Sequence, residues 1–339
     1  MNNKYFKLYG NCFIVKGSSE SIIYDLERES YYPIPIELGN ILFEIDSSEV
    51  SIENLEAKYN EDSTIVMSFI NQLIDKELGH IVSDPKSFPK ICLDWKSPYK
   101  IENAIIEFSE KSKYNINSVL TQLEEFGCQA IEFRFLTDFK PDYLSKIFDR
   151  FLTSNFKYYL IAINYNAKTL IEEYKVFANK YQRISRIIIF IGDNNREYKK
   201  LMNSISLKSR VILLNKTLTS NMVEKVSLSS FIINTSTFVE AQSHNIGLNK
   251  KICISKNGEI KNFLTHKRTY GNVKDINLKE VIESDEFQYL WKVSNDSIEK
   301  CKDCQYRYMC LCNSDIESKD GKFYKLSTCD YDPYENVWA

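Results

Sequence analysis

The chain opens with short stretches in which apolar and polar residues alternate. Tyr5-Phe6-Lys7-Leu8-Tyr9, Cys12-Phe13-Ile14-Val15 and, after the Gly17-Ser18-Ser19 turn signal, Ile22-Ile23-Tyr24-Asp25 predict two or three short strands. The spacing then becomes helical. Ile34 to Phe43 and Ser51 to Tyr59 read as helices, and Thr64 to Leu78 carries the i, i+3, i+4 rhythm at Ile65, Phe69, Leu73 and Ile74. Strands followed by three helices predict a small winged-helix module over residues 1–84. Two prolines in the polar run Ser83 to Pro89 mark a linker.

Beyond the linker the order repeats. Strands are expected at Ala104–Phe108, Ala130–Phe135, Tyr158–Ile163, Arg186–Ile191, Val211–Leu214 and Ser230–Asn234. Helices are expected at Ile116–Phe126, Tyr143–Leu152, Leu170–Tyr181 and Arg196–Leu207. Alternation of this kind, with Ile-rich strands, predicts an α/β domain built on a parallel sheet over residues 85–249. The pattern leaves open whether that sheet closes into a barrel. From residue 250 to 339 the signals shorten: strands near Ile252-Cys253-Ile254 and Gly258-Glu259-Ile260, a helix from Leu278 to Leu290, then a loop-like, cysteine-rich end. Such a segment has too little periodic apolar content to hold itself together and calls for metal.

Composition narrows the function. Apolar residues make up 43% and charged residues 27% of the 339, as in an ordinary globular protein. A formal net charge of -2 with scattered lysines gives no basic stripe for nucleic acid. No apolar run reaches the ~20 residues of a membrane helix, and the N-terminus does not read as a signal peptide, so a cytoplasmic location is expected. In a reducing compartment nine cysteines are not disulfide partners, and five of them fall between Cys301 and Cys329.

Cys301, Cys304, Cys310 and Cys312 lie in one short stretch, with Cys329 further on. The two-residue gap between Cys301 and Cys304 lets both thiolates reach one centre from a tight turn, and the later thiols can complete the coordination. Four thiolates suit either tetrahedral zinc or an iron-sulfur cluster, and spacing does not choose between them.

Gly258-Glu259-Ile260-Lys261-Asn262, Tyr270-Gly271-Asn272-Val273, the C-x-x-C-x5-C run and the late cysteine together resemble the SPASM domain that follows many peptide-modifying radical S-adenosylmethionine enzymes. The Tyr306-Arg307-Tyr308 stretch and the ending Cys329-Asp330-Tyr331-Asp332-Pro333-Tyr334-Glu335-Asn336-Val337-Trp338 look more narrowly like the SPASM-domain peptide maturase of grasp-with-spasm systems. The resemblance implies one auxiliary [4Fe-4S] cluster on Cys301, Cys304, Cys310 and Cys329, with a structural zinc as the alternative. A second cluster would need cysteines where this chain has Asn262 and Ser314. Cys253 matches that site's first position and Cys312 could stand in with shifted spacing, but the set is incomplete.

The same resemblance makes the middle domain a degenerate, radical-S-adenosylmethionine-like partial (β/α) barrel. It lacks the C-x-x-x-C-x-x-C triplet that leaves an iron open, so no S-adenosylmethionine is expected. Cys12, Cys92 and Cys128 read as small core residues. The first module is similar in order to the RiPP recognition element, which captures a leader peptide as an added strand, and this puts the acceptor near Ile22 to Asp25 and the third helix. The implied function is that of an accessory protein in the maturation of a ribosomal precursor peptide, working with an ATP-grasp ligase. A cluster-dependent peptide-modifying enzyme is the alternative. His80, His244 and His266 read as surface or loop residues without a patterned acid. Glu53, Asp94 and Glu132 are acids that chance would supply, and Gly192-Asp193-Asn194 lacks the remainder of a phosphate loop.

Overall fold

A computed structural model describes residues 3–137, 139–202, 209–220, 222, 226–327 and 329–339. The N-terminal module starts with β1 (Tyr5–Leu8). An antiparallel meander follows, made of β2 (Cys12–Lys16), β3 (Glu20–Asp25) and β4 (Ser30–Pro35). Three helices come next, α1 (Ile36–Ser48), α2 (Ile52–Tyr59) and α3 (Ser63–Asp75), and β5 (Gly79–Val82) returns to pair with β1. Ile34 lies in β4 rather than in a helix because Pro33 and Pro35 favour extended backbone around them, which delays the helix to Ile36. Ser51 caps α2 by accepting from the Asn54 amide at 3.3 Å. Leu42, Ile45, Leu55, Phe69, Ile70 and Leu73 fill the module's core.

The middle of the chain alternates as expected: β6 (Asn103–Phe108), α4 (Ile116–Glu125), β7 (Ala130–Phe135), α5 (Pro141–Phe148), β8 (Tyr158–Asn164), α6 (Ile171–Lys180), β9 (Ile184–Phe190), α7 (Asn195–Met202) and β10 (Val211–Leu214). The expected helix end at 203–207 lies outside the described residues. The five strands are parallel, and the face bearing Ile131, Phe133, Ile161, Ile163, Ile187 and Ile189 is buried under the helices. Aromatic packing is dense there. Phe133 meets Phe148 with ring centroids 5.3 Å apart, and Phe148 meets Phe177 at 5.4 Å.

The strand expected at Ser230–Asn234 does not form. Those residues leave the sheet and run onto the cysteine-rich segment, where the Ile232 amide donates to the Met309 carbonyl at 3.2 Å and Phe231 stacks on Tyr306. Their apolar alternation is spent on that contact, with Phe231 and Ile233 packed into it. Helix α8 (Thr235–Ala241) follows, capped by Asn234.

β11 (Lys251–Ile254) lies parallel to β6, and β12 (Ile260–Lys261) adds antiparallel to it. The sheet order is β10-β9-β8-β7-β6-β11-β12, so the sheet continues through residue 250 and remains open, with β10 and β12 as its edges among the described residues. The helix expected over Leu278–Leu290 is two, α9 (Leu278–Ile282) and α10 (Asp285–Gln288). Ser284 breaks it by capping α10, accepting from the Phe287 amide at 3.3 Å. Two hairpins close the chain: β13 (Ile316–Lys319) with β14 (Lys322–Lys325), and β15 (Tyr331–Asp332) with β16 (Val337–Trp338). Among the described residues no helix is long and apolar enough to cross a membrane.

Candidate functional site

Three short segments bring the clustered cysteines together. Cys301 begins a single 3-10 turn, Cys301–Asp303, entered through Lys300 at φ +66°, and the turn closes when the Cys304 amide donates to the Cys301 carbonyl at 3.0 Å. Cys310 and Cys312 lie on the following strip, whose backbone passes so close to Gly247 that an added Cβ there would be 2.8 Å from the Cys312 carbonyl carbon. Cys329 arrives from the β14–β15 connection. Each of the five thiols is free and partly buried.

Electrostatics ties them into one site. Burial pushes the Cys304 and Cys310 thiols up to about 12 and raises that of Cys301; the charges of neighbouring cysteines, Cys329 and Cys312 among them, push further in the same direction. Lys325, at the end of β14, reaches into the same nest. It donates to Asn295 Oδ1 at 3.0 Å, and Cys312, Cys301 and Cys310 are its principal charged neighbours. Burial lowers its pKa, but the thiolates of Cys312, Cys301 and Cys310 outweigh that, and the net shift is upward.

This donor set fits thiolate-bound metal: soft sulfurs, little water, and a cation to offset the charge that ionised thiols would bring. Among the described residues, however, no three His, Cys, Asp or Glu side chains converge closely enough to hold a single metal ion as they stand. Tetrahedral zinc would require sulfurs about 3.8 Å apart, whereas a cluster takes its thiolates from a wider ring.

Cys253 belongs elsewhere. It is fully buried in β11, its Sγ donates to the Asn262 carbonyl at 3.5 Å, and its charged neighbours are Lys251, Arg134, Glu132 and Glu107. Asn262 is committed to the Phe287 carbonyl at 2.9 Å, while Ser314 accepts from the Ser327 amide at 2.8 Å. Cys312 therefore lies with the first four thiols, and Cys253 with the polar groups of the sheet.

The carboxyl end of β6 is held by hydrogen-bonded serines. The Ser109 amide donates to Ser112 Oγ at 3.0 Å, Ser112 Oγ donates to the Lys256 carbonyl at 2.8 Å, and Asn115 caps α4. These residues close a turn. Below it Glu107 is buried beside Arg134 with one carboxylate oxygen unpartnered, and burial raises its pKa. Glu132, expected to be incidental, pairs with Arg134 at 2.5 Å. It lines a cleft of about 530 Å³ at the amino ends of the strands, walled by Glu240, Lys251, Ile232 and Leu311. Leu311 lies between Cys310 and Cys312 in sequence, so the cleft and the cysteine-rich strip share a wall.

Several expectations need correction. β3 is the central strand of its sheet, paired on both sides and buried, so Ile22 to Asp25 cannot accept an added strand. Cys92 is exposed, whereas Cys12 and Cys128 are buried as expected. His266 is 2% exposed and bonded to the Asn313 carbonyl, and burial lowers its pKa. His80 is stacked against Tyr9 and meets Phe88 edge-on. The sequence also missed Lys325 and Gln305. No spacing rule flags a lone lysine in a hairpin, although an amide next to Cys304 in a cysteine loop was a usable signal.

No family model matches the chain, and no curated protein matches it. Among solved structures, Streptococcus suis SuiB aligns over 90% of this chain and 94% of its own, at 10% identity and a TM-score of 0.37. SuiB bound to S-adenosylmethionine aligns at 12% identity and 0.32, and SuiB bound to precursor peptide SuiA at 11% and 0.30, over the same shares. At these scores the likeness is one of extent and is too loose to bear on this chain's activity.

Proposed function

We propose that this protein is a non-radical accessory factor in the maturation of a ribosomal precursor peptide. In this reading residues 1–84 hold the leader, residues 85–249 form a degenerate partial barrel, and residues 250–339 hold one [4Fe-4S] cluster through Cys301, Cys304, Cys310 and Cys329. A partner ATP-grasp ligase forms the bond. The observation that carries the reading is the direct seating of the N-terminal module on the cysteine loop, while the carboxyl end of β6 is closed by serines.

The group held by the thiolates would supply a charged, rigid centre; the chain's own residues do the rest. Arg307 and Lys325 place positive charge beside the thiols. Leader capture by strand addition would use the outer edge of β4, since β3 is interior and the Cys12 and Lys16 carbonyls at the outer edge of β2 are taken by Lys90 and Arg307. Pro33 faces Ile22 and has no N–H, so the backbone of Tyr31, Pro33 and Pro35 points outward. A bound strand would donate its own amides to those carbonyls and receive only the Tyr31 N–H in return.

Iron, sulfide and zinc analysis of protein purified without oxygen, with its visible spectrum, tests the centre. About four irons with matching sulfide per chain are expected; one zinc without sulfide would make the segment a structural clip. Calorimetry of the full chain with its cognate precursor tests the rest, and absence of binding would remove the accessory role.

A further inference from the structure

The turn between β2 and β3 is driven into the cysteine loop. The Ser18 amide donates to the Asp303 carbonyl at 2.8 Å, and Tyr24 Oη donates to the Gln305 carbonyl at 2.9 Å. Arg307 Nη1 donates both to the Lys16 carbonyl at 2.7 Å and to the Cys304 carbonyl at 2.9 Å, clasping the end of β2 and a thiol-bearing residue in one guanidinium. Ser19 Oγ donates to the Pro333 carbonyl at 2.7 Å, just beyond Cys329.

Between these bonds Gln305 is fully buried. Its Nε2 donates to Glu20 Oε2 at 3.2 Å and to Tyr331 Oη at 2.6 Å. Gly17 is there for lack of space: a Cβ would come within 2.6 Å of Gln305 Oε1. The apolar part of the contact is equally shared. Val15, Ile22, Tyr24 and Leu26 from the module form one core with Tyr306, Met309 and Tyr331, against which Cys304 and Cys329 pack.

We infer that metal binding by the cysteine loop and the folded stiffness of the β2–β3–β4 sheet are one coupled equilibrium, with the Gly17–Ser19 turn and Arg307 as the coupling element. The inference rests on the ligand assignment proposed above. The loop at 301–310 has little secondary structure of its own, so metal is what holds Asp303, Cys304 and Gln305 at the positions the turn requires. The Asp303 and Gln305 carbonyls accept from Ser18 and Tyr24, and Arg307 donates to the Lys16 carbonyl, so release of the loop would strip the sheet of those partners together. Coupling is reciprocal: whatever steadies the sheet, a bound peptide strand included, must tighten metal binding by the same factor.

The test is amide hydrogen exchange, followed by mass spectrometry, on the full chain after reconstitution with iron and sulfide, or with zinc, and again after chelation. Metal content is measured on each sample. Chelation is expected to speed exchange across residues 12–35 by about 5- to 150-fold, the usual span of coupling between sites, while β7, β8 and β9 keep their protection. Unchanged exchange across 12–35 in a chain that demonstrably loads and loses metal would overturn the inference and leave the ligand assignment standing. A chain that takes up neither iron nor zinc would overturn both. Tyr24→Phe keeps the ring and removes one bond of the link, so its chelation effect should shrink several-fold; an undiminished effect would count against the proposed route.

Discussion

The parallel sheet and the cysteine-rich segment are held together by opposite means. Around β7 and β8, strand faces of Ile and Phe are sealed by amphipathic helices, and nearly every large side chain there is buried. Around residues 301–312 regular elements are single turns, the loop is tied by backbone carbonyls and one arginine, and its apolar contacts are borrowed from the N-terminal module. The first region can fold on hydrophobic burial alone. The second leans on a neighbour.

That contrast can be broken or sharpened by substitution. The largest effect is expected from Cys304→Ser, which should abolish stable metal loading, measured by metal analysis, with far-ultraviolet circular dichroism of the sheet region retained. Phe133→Ala, at the centre of the aromatic packing, should cost about 3–5 kcal/mol in urea unfolding and leave metal content per folded chain unchanged. If metal is lost with it, the two regions are not independent. Gly17→Val places carbon where Gln305 Oε1 lies and should cost about 1–3 kcal/mol, loosening the cysteine loop while sparing the sheet, as limited proteolysis would report.

The smallest effect concerns the shared cleft. Burial pushes the Glu240 carboxyl up to about 7, from an ordinary 4.5. The folded state therefore binds this proton more tightly than the unfolded state does. The stability it contributes is complete below pH 4.5 and is lost as pH rises through about 7. Glu240→Gln should accordingly raise stability at pH 8 by on the order of 1 kcal/mol and change little at pH 4.5, as urea titrations at the two pH values would measure.

What could be read from sequence follows the same division. The sheet was legible because its strands declare themselves as Ile-rich runs between periodic helices. Ser230–Asn234 was misread because an alternating segment looks the same whether it pairs in a sheet or packs along a loop, and only the chain's path decides. β4 was hidden by its prolines, which mark a break and an edge strand equally well. The place of β3 as a central strand followed from that omission. The five thiols were plain from their spacing, but Lys325 and Gln305 reach the site only through tertiary contacts. The burial of His266 likewise depends on its meeting with the Asn313 carbonyl, 47 positions on.

The pairing of β11 with β6 sets the order in which these regions can form. Lys251 lies opposite Asn103, roughly 150 residues earlier, so the strand that anchors the C-terminal third docks only after the intervening units are in place. During synthesis the N-terminal module and the five parallel strands β6 to β10 are exposed to solvent before β11 is made. Completion of the cysteine-rich segment is thus a late event, and the long loop closure at β6 should set the pace at which newly made chains reach their final fold.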